Sequence, residues 1–132
     1  MAPFTTIGVS ILAFIVLDGI WLGVIMKEFY VRQLLPIART TDGSFAPLWT
    51  VASLVYVLLG AGVAVFVVPR ASSATTAAGF GALFGLVVYG VYDLTNYSTL
   101  AQWPAIVTVA DIVWGSAACA AVAAGVYAVG LR

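Results

Sequence analysis

The 132-residue chain is 64% hydrophobic and 8% charged, and its formal net charge is zero. Soluble domains average about 25% charged residues, so the composition indicates a membrane protein whose main partner is the lipid bilayer. The lack of a basic run argues against nucleic acid as a partner. With no histidine and one cysteine, histidine-ligated haem or zinc, serine–histidine catalysis and an intrachain disulfide are excluded, and we expect no cofactor.

Four apolar segments are long enough to cross a bilayer, which takes about 20 helical residues. They cover residues 5–26, 47–68, 75–97 and 103–131. Pro47 and Trp49 stand at the start of the second segment, and Trp103 and Pro104 open the fourth, as is typical of helix starts at the membrane interface. We therefore predict an all-α fold, a four-helix integral membrane bundle that forms one transmembrane domain.

The first connection, residues 27–46, has a helical pattern of its own. Apolar residues at 30, 31, 34 and 35 oppose polar residues at 28, 32 and 33, which is typical of a short amphipathic helix in the headgroup plane. A hydrated loop is the alternative. We expect this helix to end near Pro36, and Asp42-Gly43 predicts a turn. The other connections are short, so the second, third and fourth spans should be antiparallel neighbours.

Small residues recur at helical spacing in three of the spans. Gly19 and Gly23 form one GxxxG pair, Gly81 and Gly85 form another, and residues 115–121 are all small. Such residues let helix backbones approach closely in a membrane, so we interpret them as packing seams. Their spacing leaves open whether they join helices of one chain, copies in a homo-oligomer, or subunits of a larger membrane complex.

Three spans each carry one aspartate, Asp18, Asp93 and Asp111. A charged aspartate at the bilayer centre costs about 2.5–3.5 kcal/mol, so all three should face the bundle interior. They lie roughly 7–14 Å below the same interface, at a rise of 1.5 Å per residue. We predict that they converge in one polar chamber that opens toward the first connection.

Polar and aromatic side chains accompany these aspartates at helical spacing. Tyr89, Tyr92, Asp93 and Asn96 form a single stripe, and tryptophan follows Asp18 and Asp111 at i+3. The predicted ligand-binding residues are Asp18, Trp21, Tyr89, Tyr92, Asp93, Asn96, Asp111 and Trp114. Asp93, with Asn96 and Tyr89 as its neighbours, is the predicted functional centre.

The predicted spans contain no Lys or Arg, so something else must offset the burial of the carboxyls. A proton, a bound cation, or hydrogen bonds from neighbouring side chains would each do so. The last of these would make the aspartates structural, whereas ionisable residues inside membranes usually mark functional sites. We favour a functional site.

Several motifs carry a family resemblance. They are Asp18-x-x-Trp21-Leu22-Gly23, Phe29-Tyr30, Gly85-x-x-x-Tyr89-Gly90-x-Tyr92-Asp93-Leu94-Thr95-Asn96-Tyr97, Trp103-Pro104 and Asp111-x-x-Trp114-Gly115. With them the chain resembles the bacterial membrane-protein family called domain of unknown function 2177. The resemblance implies a four-span, multi-pass protein of the inner (plasma) membrane, and it carries over no activity and no catalytic residue.

Three classes of function fit these residues. The preferred one is a small transporter or channel-like protein whose carboxylates bind a proton, a metal cation or a cationic small solute. A membrane-embedded enzyme that modifies a lipid or isoprenoid could use aspartates as acid, base or Mg²⁺ ligands, although these aspartates are single and dispersed. An accessory subunit of a larger membrane complex would use the glycine seams as contacts.

Overall fold

The computed structural model describes residues 3–132, which form five α-helices and one short β-hairpin. The helices are α1 (Pro3–Ile20), α2 (Lys27–Leu34), α3 (Trp49–Gly62), α4 (Ala74–Thr99) and α5 (Ala105–Ala128). α1 continues into a π-helical turn at Trp21–Ile25. α3 continues into a π-helical turn at Val63–Val67 and a 3₁₀ turn at Val68–Arg70.

Four of these helices are long and apolar enough to cross a membrane. With their π and 3₁₀ turns they cover Pro3–Ile25, Trp49–Arg70, Ala74–Thr99 and Ala105–Ala128. The prediction of an all-α membrane bundle with four spanning helices is therefore confirmed. The outward faces of these helices expose many leucine, valine and isoleucine side chains, as is expected of surfaces that contact lipid.

Local sequence explains the ends of the last two spans. At the start of α4, Ser73 Oγ accepts the Thr76 N–H at 3.1 Å, and Thr76 Oγ1 accepts the Ser73 N–H at 2.9 Å, forming a capping box. At the end of α5, Gly130 has φ +86° and the Leu131 N–H bonds the Val126 carbonyl at 3.1 Å. This Schellman-type arrangement ends α5 before residue 131.

The first connection contains the short helix that its amphipathic pattern predicts. In α2 the charged residues Lys27 and Arg32 are exposed, whereas Tyr30 is buried. The helix ends before Pro36, which has no backbone N–H to continue the helical hydrogen bonds, although Leu35 itself keeps helical φ and ψ. The predicted turn at Asp42-Gly43 closes a hairpin that was not predicted, β1 (Thr40–Thr41) paired with β2 (Ser44–Phe45). Both turn residues have positive φ, 53° and 78°, as in a type I′ turn.

One predicted glycine seam joins α4 to α5 within the chain. A Cβ atom added at Gly81 would lie 2.5 Å from the Cys119 carbonyl oxygen, and one added at Gly85 would overlap the Gly115 carbonyl. The other predicted pair differs: within the described residues nothing lies within 4 Å of a Cβ added at Gly19 or Gly23. That face of α1 is therefore free of packing partners in the chain as described.

α1 packs between α3 and α5. At Gly60 of α3 the backbones come close, and an added Cβ would lie 2.5 Å from Ile11 Cγ1 and 3.0 Å from the Ile11 nitrogen. Phe14 of α1 is fully buried in a core that α3, α4 and α5 complete. This packing turns the buried face of α1, which includes Asp18, toward the other helices.

We predict that Gly85→Ala destabilises the bundle by about 1–3 kcal/mol, because the new methyl group would push α4 away from the α5 backbone. Gly79→Ala in the same helix is the matched control, since a Cβ there meets no atom within 4 Å in the described part of the chain. Thermal unfolding in detergent measures both. Equal melting temperatures for the two variants would contradict the seam.

Candidate functional site

Seven polar and aromatic side chains gather at the end of the bundle that carries α2. We call them the polar cluster: Asp18, Trp21, Tyr30, Tyr56, Asp93, Asp111 and Trp114. The three aspartates lie roughly two helical turns from the ends of their spans on this side. The cluster therefore lies near the end of the bundle at which α2 follows the first span.

Asp18 is 8% exposed and is held by two neutral donors. Trp114 Nε1 of α5 donates to Asp18 Oδ1 at 2.7 Å, and the Tyr56 hydroxyl of α3 donates to Asp18 Oδ2 at 2.9 Å. Both carboxylate oxygens are thus satisfied by side chains from two other helices. Asp18 links α1, α3 and α5 at one depth in the membrane.

Asp111 is connected to α2 and α1 by a chain of hydrogen bonds. The Tyr30 hydroxyl donates to Asp111 Oδ1 at 3.1 Å, and Trp21 Nε1 donates to the Tyr30 hydroxyl at 3.2 Å. The Trp21 and Trp114 rings stack in parallel with their centroids 4.4 Å apart. The stacked indoles therefore join the hydrogen bonds of two aspartates: Trp114 bonds Asp18, and Trp21 is connected to Asp111 through Tyr30.

Neither indole N–H bonds the aspartate that precedes it by three residues in its own span. Trp114 donates to Asp18, although it follows Asp111 along the chain, and Trp21 donates to Tyr30. Residues at i and i+3 share a helix face, but both side chains project toward the neighbouring helix instead of toward each other. The hydrogen bonds consequently cross between helices.

Asp93 differs from the other two aspartates. It is fully buried in α4, and neither carboxylate oxygen has a hydrogen-bond partner among residues 3–132. Its close neighbour is the Asp111 carboxyl of α5. Two adjacent carboxyls with no basic partner repel each other when both are ionised, so this pair is stable only if it shares a proton or holds a cation.

Tyr30 is 6% exposed and bonds the Asp111 carboxyl of this pair. Burial raises the pKa of the Tyr30 phenol well above its usual range; the Trp21 hydrogen bond opposes that rise, and the Asp111 and Asp93 carboxyls add to it. The phenol therefore stays neutral and keeps its proton as a hydrogen-bond donor. It can donate to a carboxylate at any physiological pH.

The remaining members of the predicted stripe lie in different surroundings. Tyr89 is half-buried, and its ring packs on Gly115 of α5, where an added Cβ would overlap it. Tyr92 is 55% exposed and packs edge-on against Trp103, with centroids 5.8 Å apart. Asn96 is half-buried near the end of α4. None of the three donates to Asp93 in the described structure.

Tyr56 and Tyr30 belong to the cluster but were not among the predicted ligand-binding residues. Tyr56 is an aromatic residue in the strongly apolar stretch Val51–Leu59, and Tyr30 lies on the apolar face of α2. A tyrosine in such a position usually has a partner for its hydroxyl. That general tendency is the one sequence signal that could have pointed to either residue.

Two apolar grooves of the structure lie away from the cluster. One is an apolar groove between α1 and α5 lined by residues such as Val9, Leu12 and Val126, and another lies around Phe66 and Phe80. Neither is lined by a residue of the polar cluster. Within residues 3–132, no three His, Cys, Asp or Glu side chains are arranged to hold a metal ion.

Comparison with known proteins gives one match. The family model described as "Predicted membrane protein (DUF2177)" matches residues 4–128, nearly the whole chain, as the sequence motifs implied. No curated protein and no solved structure matches the chain.

The same substitution at two aspartates should have opposite effects on stability. Asp18→Leu leaves the Trp114 and Tyr56 donors without an acceptor and should destabilise the bundle by about 1–3 kcal/mol. Asp93→Leu is the matched comparison, and it should be neutral or stabilising because it removes a buried carboxyl that receives no bond from the described residues. Melting temperatures in detergent report both changes. An equal loss in both variants would contradict this distinction.

Proposed function

We propose that this chain, which belongs to the DUF2177 family of predicted membrane proteins, is a small transporter that binds a proton between Asp93 and Asp111. The observation that carries the proposal is the burial of Asp93 beside another carboxyl. Its oxygens receive no hydrogen bond from residues 3–132. We place the protein in the inner (plasma) membrane, as the family resemblance implied.

The contrast with Asp18 supports an exchangeable ligand at Asp93. A structural aspartate is expected to have its oxygens satisfied, and Asp18 has two donors from other helices. A buried carboxylate that lacks such donors is strongly destabilising. A proton on the Asp93–Asp111 pair removes one charge and supplies the missing donor. The pair is therefore suited to gain and lose a proton.

A proton fits the site better than Mg²⁺ or Ca²⁺ does. Metal ions such as Mg²⁺ and Ca²⁺ favour six or more oxygen ligands, whereas two carboxyl side chains meet here. A proton needs almost no space and can be shared by two neighbouring carboxyls.

The second part of the proposed function is the exchange of the proton for a cation. Loss of the shared proton leaves both carboxyls ionised and doubles the negative charge of the pair, which attracts a cation or cationic small solute. Binding of the proton and binding of the cation would then exclude each other, which is the basis of exchange. Buried acidic residues of membrane pumps and transporters often act as such proton relays.

We predict that purified protein in liposomes speeds the decay of an imposed pH gradient and that Asp93→Asn removes this effect. The substitution keeps the side-chain shape and removes the ionisable group. Asp42→Asn is the matched control, because Asp42 is exposed in the hairpin turn, and it should behave like wild type. A pH-sensitive dye inside the vesicles gives the rate, and added Na⁺, K⁺ or small amines test for exchange. Wild-type rates for Asp93→Asn would refute the proposed site.

Infrared spectroscopy tests the proton directly. The wild-type protein should show the band of a protonated carboxyl at neutral pH, because one proton is shared by the Asp93–Asp111 pair. Asp93→Asn should lose that band, and Asp42→Asn should retain it. The lack of such a band in the wild-type protein at neutral pH would favour a bound cation over a proton.

A further inference from the structure

Tyr30 is the point at which α2 reaches into the bundle. It is the one buried residue of α2, a helix that the structure describes in full, whereas Lys27, Glu28 and Arg32 are exposed. α2 follows directly on the π-helical turn of the first span, so it lies on the interface side of the cluster. The Tyr30 side chain therefore stands between the surrounding water and the Asp93–Asp111 pair.

Two side-chain hydrogen bonds hold Tyr30 in this position. Its hydroxyl donates to Asp111 at 3.1 Å and accepts from Trp21 at 3.2 Å. Apart from Tyr30, α2 makes its main contacts with the π-helical turn Trp21–Ile25 that precedes it. The attachment of α2 to α5 therefore depends largely on a single phenol hydroxyl.

The backbone on both sides of α2 is suited to movement of the helix as one body. Met26 separates α2 from the first span with φ −114° and ψ 16°, outside the helical region. The preceding turn is wound as a π-helix, with the Met26 N–H bonded to the Trp21 carbonyl at 2.7 Å, and such turns are frequent at functional sites. After Leu34 the helix stops before Pro36, and the residues that follow are mostly exposed.

We infer that α2 is a lid over the Asp93–Asp111 pair and that the Tyr30–Asp111 hydrogen bond holds it closed. This inference deepens the proposed function and rests on it, because it gives the proton site its route to water on the α2 side. Opening the lid breaks one bond to Asp111 and exposes the pair, while the Asp18 bonds to Trp114 and Tyr56 stay in place. Closing the lid returns Asp93 to the buried state that the structure shows.

The accessibility of position 93 tests the lid. Asp93→Cys is made with Cys119→Ala, and a membrane-impermeant maleimide is added from the α2 side of the vesicles. Adding Tyr30→Phe, which keeps the ring and removes the hydroxyl, should speed labelling roughly fivefold, the usual effect of one hydrogen bond on a local opening equilibrium. Tyr56→Phe also removes one hydroxyl, the one that donates to Asp18, and it should leave the labelling rate unchanged.

Two further measurements separate lid opening from other effects. Cys119 is fully buried between α4 and α5, so in a protein that keeps it, Tyr30→Phe should leave it unlabelled if the bundle stays folded. Should Asp93→Cys not fold, Asn96→Cys, about one turn nearer the interface on the same helix, replaces it.

The labelling rate tests the lid and proton movement in liposomes tests the proposed function, so each can be contradicted without the other. Equal labelling rates with and without Tyr30→Phe overturn the lid, even where Asp93→Asn abolishes proton movement. Faster labelling in Tyr30→Phe supports the lid, even where the wild-type protein moves no protons. Labelling that rises equally in Tyr30→Phe and Tyr56→Phe also overturns it, because the effect would then come from general loosening.

Discussion

The absence of water from the bilayer core is the constraint on which this structure depends, because polar groups inside a span must find their partners within the protein. Asp18 meets the constraint with bonds from Trp114 and Tyr56, and these bonds tie three helices together at one depth. Asp111 meets it in part through Tyr30. Asp93 has only the neighbouring carboxyl among the described residues, and that difference separates a structural aspartate from a candidate functional one.

Glycine packing creates the contact between the two carboxyls. Asp93 and Asp111 belong to α4 and α5, the helices whose backbones come closest, at Gly81, Gly85 and Gly115. Larger residues at these positions would separate the helices and the carboxyls with them. The small-residue seam, which is a packing feature in most membrane proteins, is therefore also what gives this site its chemistry.

The polar cluster combines fixed and breakable contacts. The Asp18 bonds and the stack of Trp21 on Trp114 join spanning helices, whose relative positions the core holds. The Tyr30 bond joins a short surface helix to the same cluster and can break without disturbing that core. A site that takes up a proton from water and then shields it from water needs both kinds of contact. In the proposed transporter, the fixed contacts hold the spanning helices together, and the Tyr30 bond opens and closes the lid.

The sequence by itself determined the four spans, the short helix after the first span, the turn at Asp42-Gly43 and the family. These features depend on hydrophobic length, helical periodicity and backbone preference, which are local properties of the chain. Tertiary structure alone decided that Trp114 serves Asp18, that Tyr30 and Tyr56 join the cluster, and that Tyr92 faces outward. The physical reason is that spacing along a helix defines which residues share a face, whereas the packing of the helices at their glycines defines which residues of other helices that face contacts.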